Sequence, residues 1–343
     1  MRDIGTDDPR VRVRARKGSR PRTKRRPDYS QRPAGRVIAI DRGRYGVATF
    51  AGPIVTAVKA REIPRDAVVI GDVVRLTGDL SGTPDTLARI VHVDPRENVL
   101  RRSLEDTPDA RGEKTIVANA DLMVIVVAAV NPPPRVGMVE RAMVAAHIAN
   151  IPSLLVVTKV DLADPTPFLE NFPSFDLDVA TTEGGVEMVA EKVADKFSVL
   201  VGHSGVGKST LINALIPDAN RAIGDVNAAT GKGRHTSTSA VALELPGGGW
   251  LVDTPGVRSF GLGHAEEADV LGVFPHLLDA TGYCLPNCTH DAEEVSCALD
   301  AWVKGSEPFV DVDATGLSEG VRADLVARAR SLLAGLPKEH WEI

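Results

Sequence analysis

From residue 35 to about residue 100 the apolar positions come as short Val/Ile-rich runs at 36–40, 45–50, 54–58, 67–70, 72–76 and 88–93, separated by Gly, Pro and Asp. Runs punctuated at such short intervals predict the strands of a small β-barrel. An OB-type barrel is the natural choice for this length, and an SH3-like barrel would have similar strand spacing. Residues 94–114 are polar, with Asp94-Pro95-Arg96 and Thr107-Pro108-Asp109, and read as a linker. Then the period changes. Residues 122–130 are continuously apolar, which predicts a parallel strand buried on both faces. Helical spacing follows at 135–150, and further strands are predicted at 153–158, 175–180, 197–201, 241–245 and 250–252. Helices are predicted over 185–195 and from Lys208 onward. Strands alternating with helices make a doubly wound α/β sheet. Beyond Gly263, amphipathic stretches at 292–304 and 321–336 predict a smaller, mainly helical unit.

Composition adds little to this and charge adds more. Apolar content of 43% and charged content of 25% are those of an ordinary soluble chain. The longest apolar run, 122–130, is far too short to span a bilayer, and the N-terminus lacks the apolar core of a secretory signal. A cytoplasmic protein without membrane contact is expected, with a monomer as the default. Residues 1–36 carry 13 Arg and Lys against 4 Asp, a net of +9, which leaves −15 on the remainder within an overall −6. The expected organisation is a disordered basic arm (1–35), the barrel (36–100), a linker (101–113), the nucleotide domain (114–262) and the C-terminal unit (263–343). The arm suits salt-dependent, sequence-blind contact with a phosphate backbone.

The chemistry begins at Gly202-His203-Ser204-Gly205-Val206-Gly207-Lys208-Ser209, which fits the phosphate-binding pattern G-x-x-x-x-G-K-[ST]. An apolar strand precedes it and a helix follows, so the helix N-terminus would face an anion. Lys208 would neutralise β/γ-phosphate charge, Ser209 would ligate Mg²⁺, and backbone N–H groups from Ser204, Gly205, Val206, Gly207 and Thr210 complete the cradle. Downstream, Asp253 ends a strand before Thr254-Pro255-Gly256, which suits Mg²⁺ held through water at Asp253 and a γ-phosphate bond from the Gly256 N–H. Residues 220–239 form a long polar segment whose Thr236, with Thr238 second, offers a hydroxyl to the same Mg²⁺. Thr158-Lys159-Val160-Asp161 closes another predicted strand. Its carboxylate can accept both N1–H and N2–H of guanine, which favours GTP over ATP, and the Lys159 stem can cover the base. Cys284, Cys288 and Cys297 are the only cysteines and fall in one short window with His290. An odd count argues against a disulfide framework, and three thiolates plus one imidazole make a closed tetrahedral Zn²⁺ set, structural in role.

The guanine-reading motif stands upstream of the phosphate loop, the reverse of ordinary GTPases. In this rotated order, with a barrel before and a Cys/His cluster after, the chain resembles the RsgA/YjeQ family of circularly permuted GTPases that depend on the small ribosomal subunit. The resemblance covers about residues 35–335. It implies an OB-fold, a permuted P-loop GTPase domain and a C-terminal zinc domain. It also implies GTP hydrolysis to GDP and phosphate late in 30S maturation, stimulated by the subunit, with rRNA contacted through arm, barrel and zinc domain. His235, just before Thr236, takes the family's catalytic position; without the resemblance it reads as an exposed loop histidine. Val257 stands where Ras-like enzymes keep a water-positioning Gln, as in this family. Two features depart from the family pattern. The guanine-loop segment Ala180-Thr181 is a residue short, and the ligand spacing C-x3-C-x-H-x6-C shifts one residue between its first and last gaps. Gly205 replaces the Asn of potassium-activated relatives, so no strong K⁺ dependence is expected. A nucleotide-switched RNA-binding module with negligible turnover is the competing reading; Asp161 speaks against an ATP-dependent nucleic-acid enzyme.

Overall fold

The computed structural model describes residues 28–64, 67–83, 85–103, 113–173, 175–182, 186–219, 240–254, 260–294, 296–311 and 315–337. Two compact units are present, Met1–Gln31 and Arg32–Ile343. Of the first only residues 28–31 are described, where the Ser30 N–H donates to Asp28 Oδ1 at 2.9 Å.

In the second unit, β1 (Ala34–Asp41), β2 (Arg44–Thr49), β3 (Ile54–Lys59), β4 (Val73–Gly78) and β5 (Ala88–Val93) close a barrel in the order β1-β2-β3-β5-β4-β1, with β3 and β5 parallel. This is the OB-type connectivity, and it removes the SH3-like alternative. Its core is built from inward positions such as Val37, Val47, Leu76 and Ile90, all fully buried. The expected run at 67–70 buries Val68 and Ile70 but is not a strand. Its Val69 N–H is taken by the Asp72 carboxylate (2.8 Å) and Gly71 turns at φ +88°. Asp72 is itself held by Arg96 at 2.6 and 2.9 Å. The segment expected to be a linker (101–113) is bracketed by β6 (Val99–Ser103) and β7 (Glu113–Ala118), which pair antiparallel. Only a few apolar anchors, Leu100 and Val117 among them, are buried there, so the sequence lacked a readable alternation.

The second sheet region comprises β8 (Leu122–Ala128), β9 (Ser153–Thr158), β10 (Asp178–Thr181), β11 (Phe197–Val201), β12 (Val241–Glu244) and β13 (Trp250–Asp253), in the order β10-β9-β8-β11-β13-β12. All pairings are parallel except that of β12 with β13. Every residue of β8 is buried, because Met123, Ile125 and Val127 enter one core while Leu122, Val124 and Val126 enter the core on the opposite face. A continuous apolar run is what a strand covered on both faces requires. α1 (Val136–Ile148), α2 (Thr166–Leu169), α3 (Glu187–Val193) and α4 (Lys208–Leu215) are the connecting helices. The barrel joins this sheet through β1, whose Ala39 pairs with Val241 of β12, and through Arg36, whose guanidinium lies 4.6 Å over the Phe197 ring. Close approach at this junction explains Gly71: a Cβ there would lie 1.9 Å from the Ala118 carbonyl oxygen.

The C-terminal part contains α5 (Glu267–Gly272), α6 (Pro275–Thr281), α7 (Ala298–Lys304) and α8 (Glu319–Leu333). Phe274, Leu277, Leu299, Trp302 and Leu325 extend the α1 core into this unit. Ser318 caps α8 by accepting from the Val321 N–H at 3.4 Å. The helix expected over 292–304 begins only at Ala298, since the preceding residues form the Cys/His loop.

Candidate functional site

The described motif loops, 202–209 and 158–161, meet at the C-terminal edge of the parallel strands, where α/β sheets bind ligands. β11 runs into Gly202 and, after the loop, α4 begins at Lys208 with Gly207 as its N-cap. At Gly202 the backbone has φ +150° and passes so close to β8 that a Cβ would sit 2.4 Å from the Val126 carbonyl oxygen. Lys208 Nζ donates to the carbonyls of Gly202 (2.5 Å) and His203 (2.9 Å), which holds the amine over the loop's concave side. Ser204, Gly205, Ser209 and Thr210 are exposed, whereas Val206 is buried.

The register of β11 with β13 sets Asp253 opposite Leu200, two residues before the loop. Asp253 Oδ1 is buried and has no hydrogen-bond partner among the described residues. Burial pushes this carboxyl up and Lys208 draws it down, with burial the larger effect. An orphaned carboxylate oxygen beside the phosphate loop fits a divalent cation shared with the Ser209 hydroxyl. The next residue, Thr254, is buried and donates from Oγ1 to the Leu200 carbonyl at 2.6 Å, tying the end of β13 to the strand that enters the loop.

The guanine-reading motif is physically fastened to the phosphate loop. Thr158 Oγ1 lies 2.5 Å from the Val206 carbonyl oxygen and 3.2 Å from that of Val127, one proton serving both. Lys159 adopts φ +57°, a region few non-glycine residues enter, and its Nζ donates to the Gly205 carbonyl at 2.8 Å and to that of Asn131. Asp161 is exposed beyond it. β10 flanks β9 with Ala180 opposite Val156 and Thr181 opposite Val157, so the guanine-loop segment stands beside the motif it would serve. Gly256, His235 and Thr236 lie outside the described residues.

Sequence reasoning missed Asn131, Thr254 and the segment after β8. A cavity of about 230 Å³ opens beside the phosphate loop, lined by Val127, Pro132, Arg135, Met138, His203 and Ser204 among others. The three consecutive prolines at 132–134 were a signal of a fixed loop there, but their neighbour in space is remote in sequence.

The Cys/His cluster is assembled as expected. The ligand atoms of Cys284, Cys288, His290 and Cys297 all lie within 4.8 Å of one another. His290 Nδ1 is 3.6, 3.4 and 3.6 Å from the three sulfurs. Zn–S bonds of about 2.3 Å and Zn–N of about 2.0–2.1 Å at a tetrahedral ion imply an N···S edge of about 3.6 Å, so the donor set fits that geometry. Burial pushes all three thiols up, so a bound cation is what would hold them as thiolates. His290 Nε2 faces Glu267 Oε1 at 3.1 Å, which leaves Nδ1 as the ligating atom. Arg330 braces the loop from α8, donating from Nε to the His290 carbonyl (2.8 Å) while forking onto Asp300.

The family described as RsgA GTPase matches residues 93–263. A relative from Pseudomonas fluorescens (strain SBW25), named "Small ribosomal subunit biogenesis GTPase RsgA", is 34% identical over 291 residues, covering 80% of this chain and 77% of the relative. Among solved structures, YjeQ from Thermotoga maritima aligns with a TM-score of 0.61 at 23% identity, covering 88% of this chain and 98% of the other. YloQ, described as a circularly permuted GTPase, aligns at 0.57 and 20% identity, covering 87% and 95%.

Proposed function

The chain belongs to the RsgA GTPase family, and on that premise we propose that it hydrolyses GTP to GDP and phosphate as a maturation factor of the small ribosomal subunit. The observation that carries this is the convergence of phosphate loop, guanine motif and Asp253 on one sheet edge although their chain order is rotated. Gly202 to Thr210 bind the phosphates, Lys208 offsets their charge, and Thr158, Lys159 and Asp161 read guanine. Ser209, Asp253 and Thr236 would hold Mg²⁺, which when bound neutralises charge developing on the phosphate oxygens. His235 orients the attacking water, the Gly256 N–H senses the γ-phosphate, and the Cys284, Cys288, His290 and Cys297 set holds one structural Zn²⁺.

Docking on rRNA uses the basic arm and the barrel, where the β1–β2 turn presents exposed Arg42 and Arg44 and the next turn presents Phe50, 63% exposed. The β1–β2 turn is one of the loops through which OB-folds contact oligonucleotides. With Val257 at the water-positioning place, turnover is slow until the subunit orders the catalytic segment. No helix among the described residues is long and apolar enough to cross a membrane. The proposed factor works as a monomer beside cytoplasmic ribosomes. The test is hydrolysis of GTP and ATP with and without purified small subunits at matched salt. GTP-specific turnover rising about tenfold or more with subunits is expected, a drop of about 1.4 kcal/mol in the barrier. Equal turnover of ATP, or no stimulation, overturns the reading.

A further inference from the structure

The C-terminal unit has a surface of the opposite kind to the rest of the docking apparatus. Residues 34–103 carry 11 Arg and Lys against 8 Asp and Glu, whereas residues 263–337 carry 4 against 13. Three of those four cations are already engaged. Arg322 is buried and donates to the Val303 and Leu317 carbonyls. Arg328 pairs with Glu140, and Arg330 forks onto Asp300. Only Lys304 remains exposed among them.

Against this negative field stands an apolar group beside the Cys/His loop. Tyr283, Leu285 and Val310 are 64%, 64% and 62% exposed, and the Tyr283 ring meets Phe309 edge-on at 5.1 Å. Large apolar side chains grouped on a surface and rimmed by polar ones mark an interaction site. The rim here is acidic: Asp279, Glu307 and Asp311 are exposed and alternate along the chain with the apolar residues. Single-stranded nucleic acid is held by aromatics set within a positive groove, and this surface supplies the aromatic without the groove. Anionic lipid is repelled for the same reason.

Resting on the ribosomal reading above, we propose that this face docks on a basic protein of the small subunit, one presenting Lys or Arg around an apolar contact, and not on rRNA. Proteins seated on rRNA neutralise phosphates with Lys and Arg, so such a surface is complementary to this one.

The experiment uses the full chain with Asp279→Asn, Glu307→Gln and Asp311→Asn combined, and separately Tyr283→Ser. Metal content is measured first and should be the same in each variant as in wild type. Binding to intact small subunits and to protein-free small-subunit rRNA is then compared at the same salt. Both variants should bind subunits about tenfold more weakly, as three rim charges or one aromatic anchor would give, and should bind rRNA as well as or better than wild type. Carbodiimide, which joins carboxylates to lysine amines, should couple wild type to a ribosomal protein and not the triple variant. Unchanged or tighter binding of the triple variant to subunits, or absence of a protein adduct, overturns the proposal and leaves rRNA as the partner of this face. Wild type that neither binds subunits nor is stimulated by them would instead remove the ribosomal reading itself.

Discussion

At the scale of single residues, the site is held by contacts between motifs and less by the motifs themselves. Thr158 is the plainest case, a hydroxyl from the guanine motif bonded to the carbonyl of Val206 in the phosphate loop. Asp253 is the costly member. Its folded pKa is raised, chiefly by burial, so the stability linked to it is full below its ordinary value of 3.8 and is lost as pH rises through the raised value. Above that range, holding this carboxyl in its buried place costs the nucleotide-free protein stability. Asp253→Asn should raise the Tm of the nucleotide-free protein by about 2–4 °C at pH 7.5, with the gain fading toward pH 4, while Mg²⁺-dependent hydrolysis is lost. Calorimetry across pH beside a phosphate-release assay checks both halves; a Tm that falls at pH 7.5 would refute the assignment. The ligating and phosphate-facing residues were legible because their spacing is local. Thr254 and Asn131 were not, since Thr254 donates to a carbonyl 54 positions away and the Asn131 carbonyl accepts from Lys159, 28 positions away, and no local pattern records that.

Elements were legible in proportion to their burial and length. β8, β9 and β11 read clearly because they are shielded on both faces, and α1 because thirteen residues give the helical period room to repeat. α5 and α6, of six and seven residues, are too short for a period to show. The run at 67–70 misled for a different reason: it is as apolar as a strand, but the Asp72 carboxylate and the turn at Gly71 take the backbone elsewhere. Gly71 is the joint between barrel and nucleotide domain, where Asn119 Nδ2 donates to its carbonyl at 3.0 Å. Gly71→Ala should cost about 2–4 kcal/mol, because φ +88° and a carbonyl oxygen 1.9 Å from the new methyl must both be relieved. A urea titration reads this as a lower midpoint, and a midpoint equal to wild type would mean the junction is softer than drawn.

On the scale of the whole second unit, the C-terminal helices are clamped to the nucleotide domain by Arg328 of α8, which bonds Glu140 of α1 at 2.7 Å and the Asn171 carbonyl at 2.8 Å. Glu140 is buried, and burial holds its carboxyl above the ordinary range against the pull of Arg328. Removing the partner leaves the half-buried guanidinium with Asp324, 2.8 Å away, as its one remaining carboxylate, so Glu140→Ala should cost about 1–3 kcal/mol and Glu140→Gln less. Zinc loaded into the Cys/His set and released on heating to a chromophoric chelator would report the loosening, and identical release from Glu140→Ala and wild type would count against the clamp. A different consequence follows from the single pair of residues, Ala39 and Val241, by which β1 meets β12. A sheet ordinarily ends in two rows of unpaired amides, each an invitation to a stray strand. Here one side of the nucleotide-domain sheet runs on into a barrel that closes upon itself, and the side left open is β10, four residues long with Asp178 already salt-bridged to Lys192. The barrel thus doubles as insulation: a chain shortened to begin after it would bare β12, and should be the first form of this protein to stick to itself.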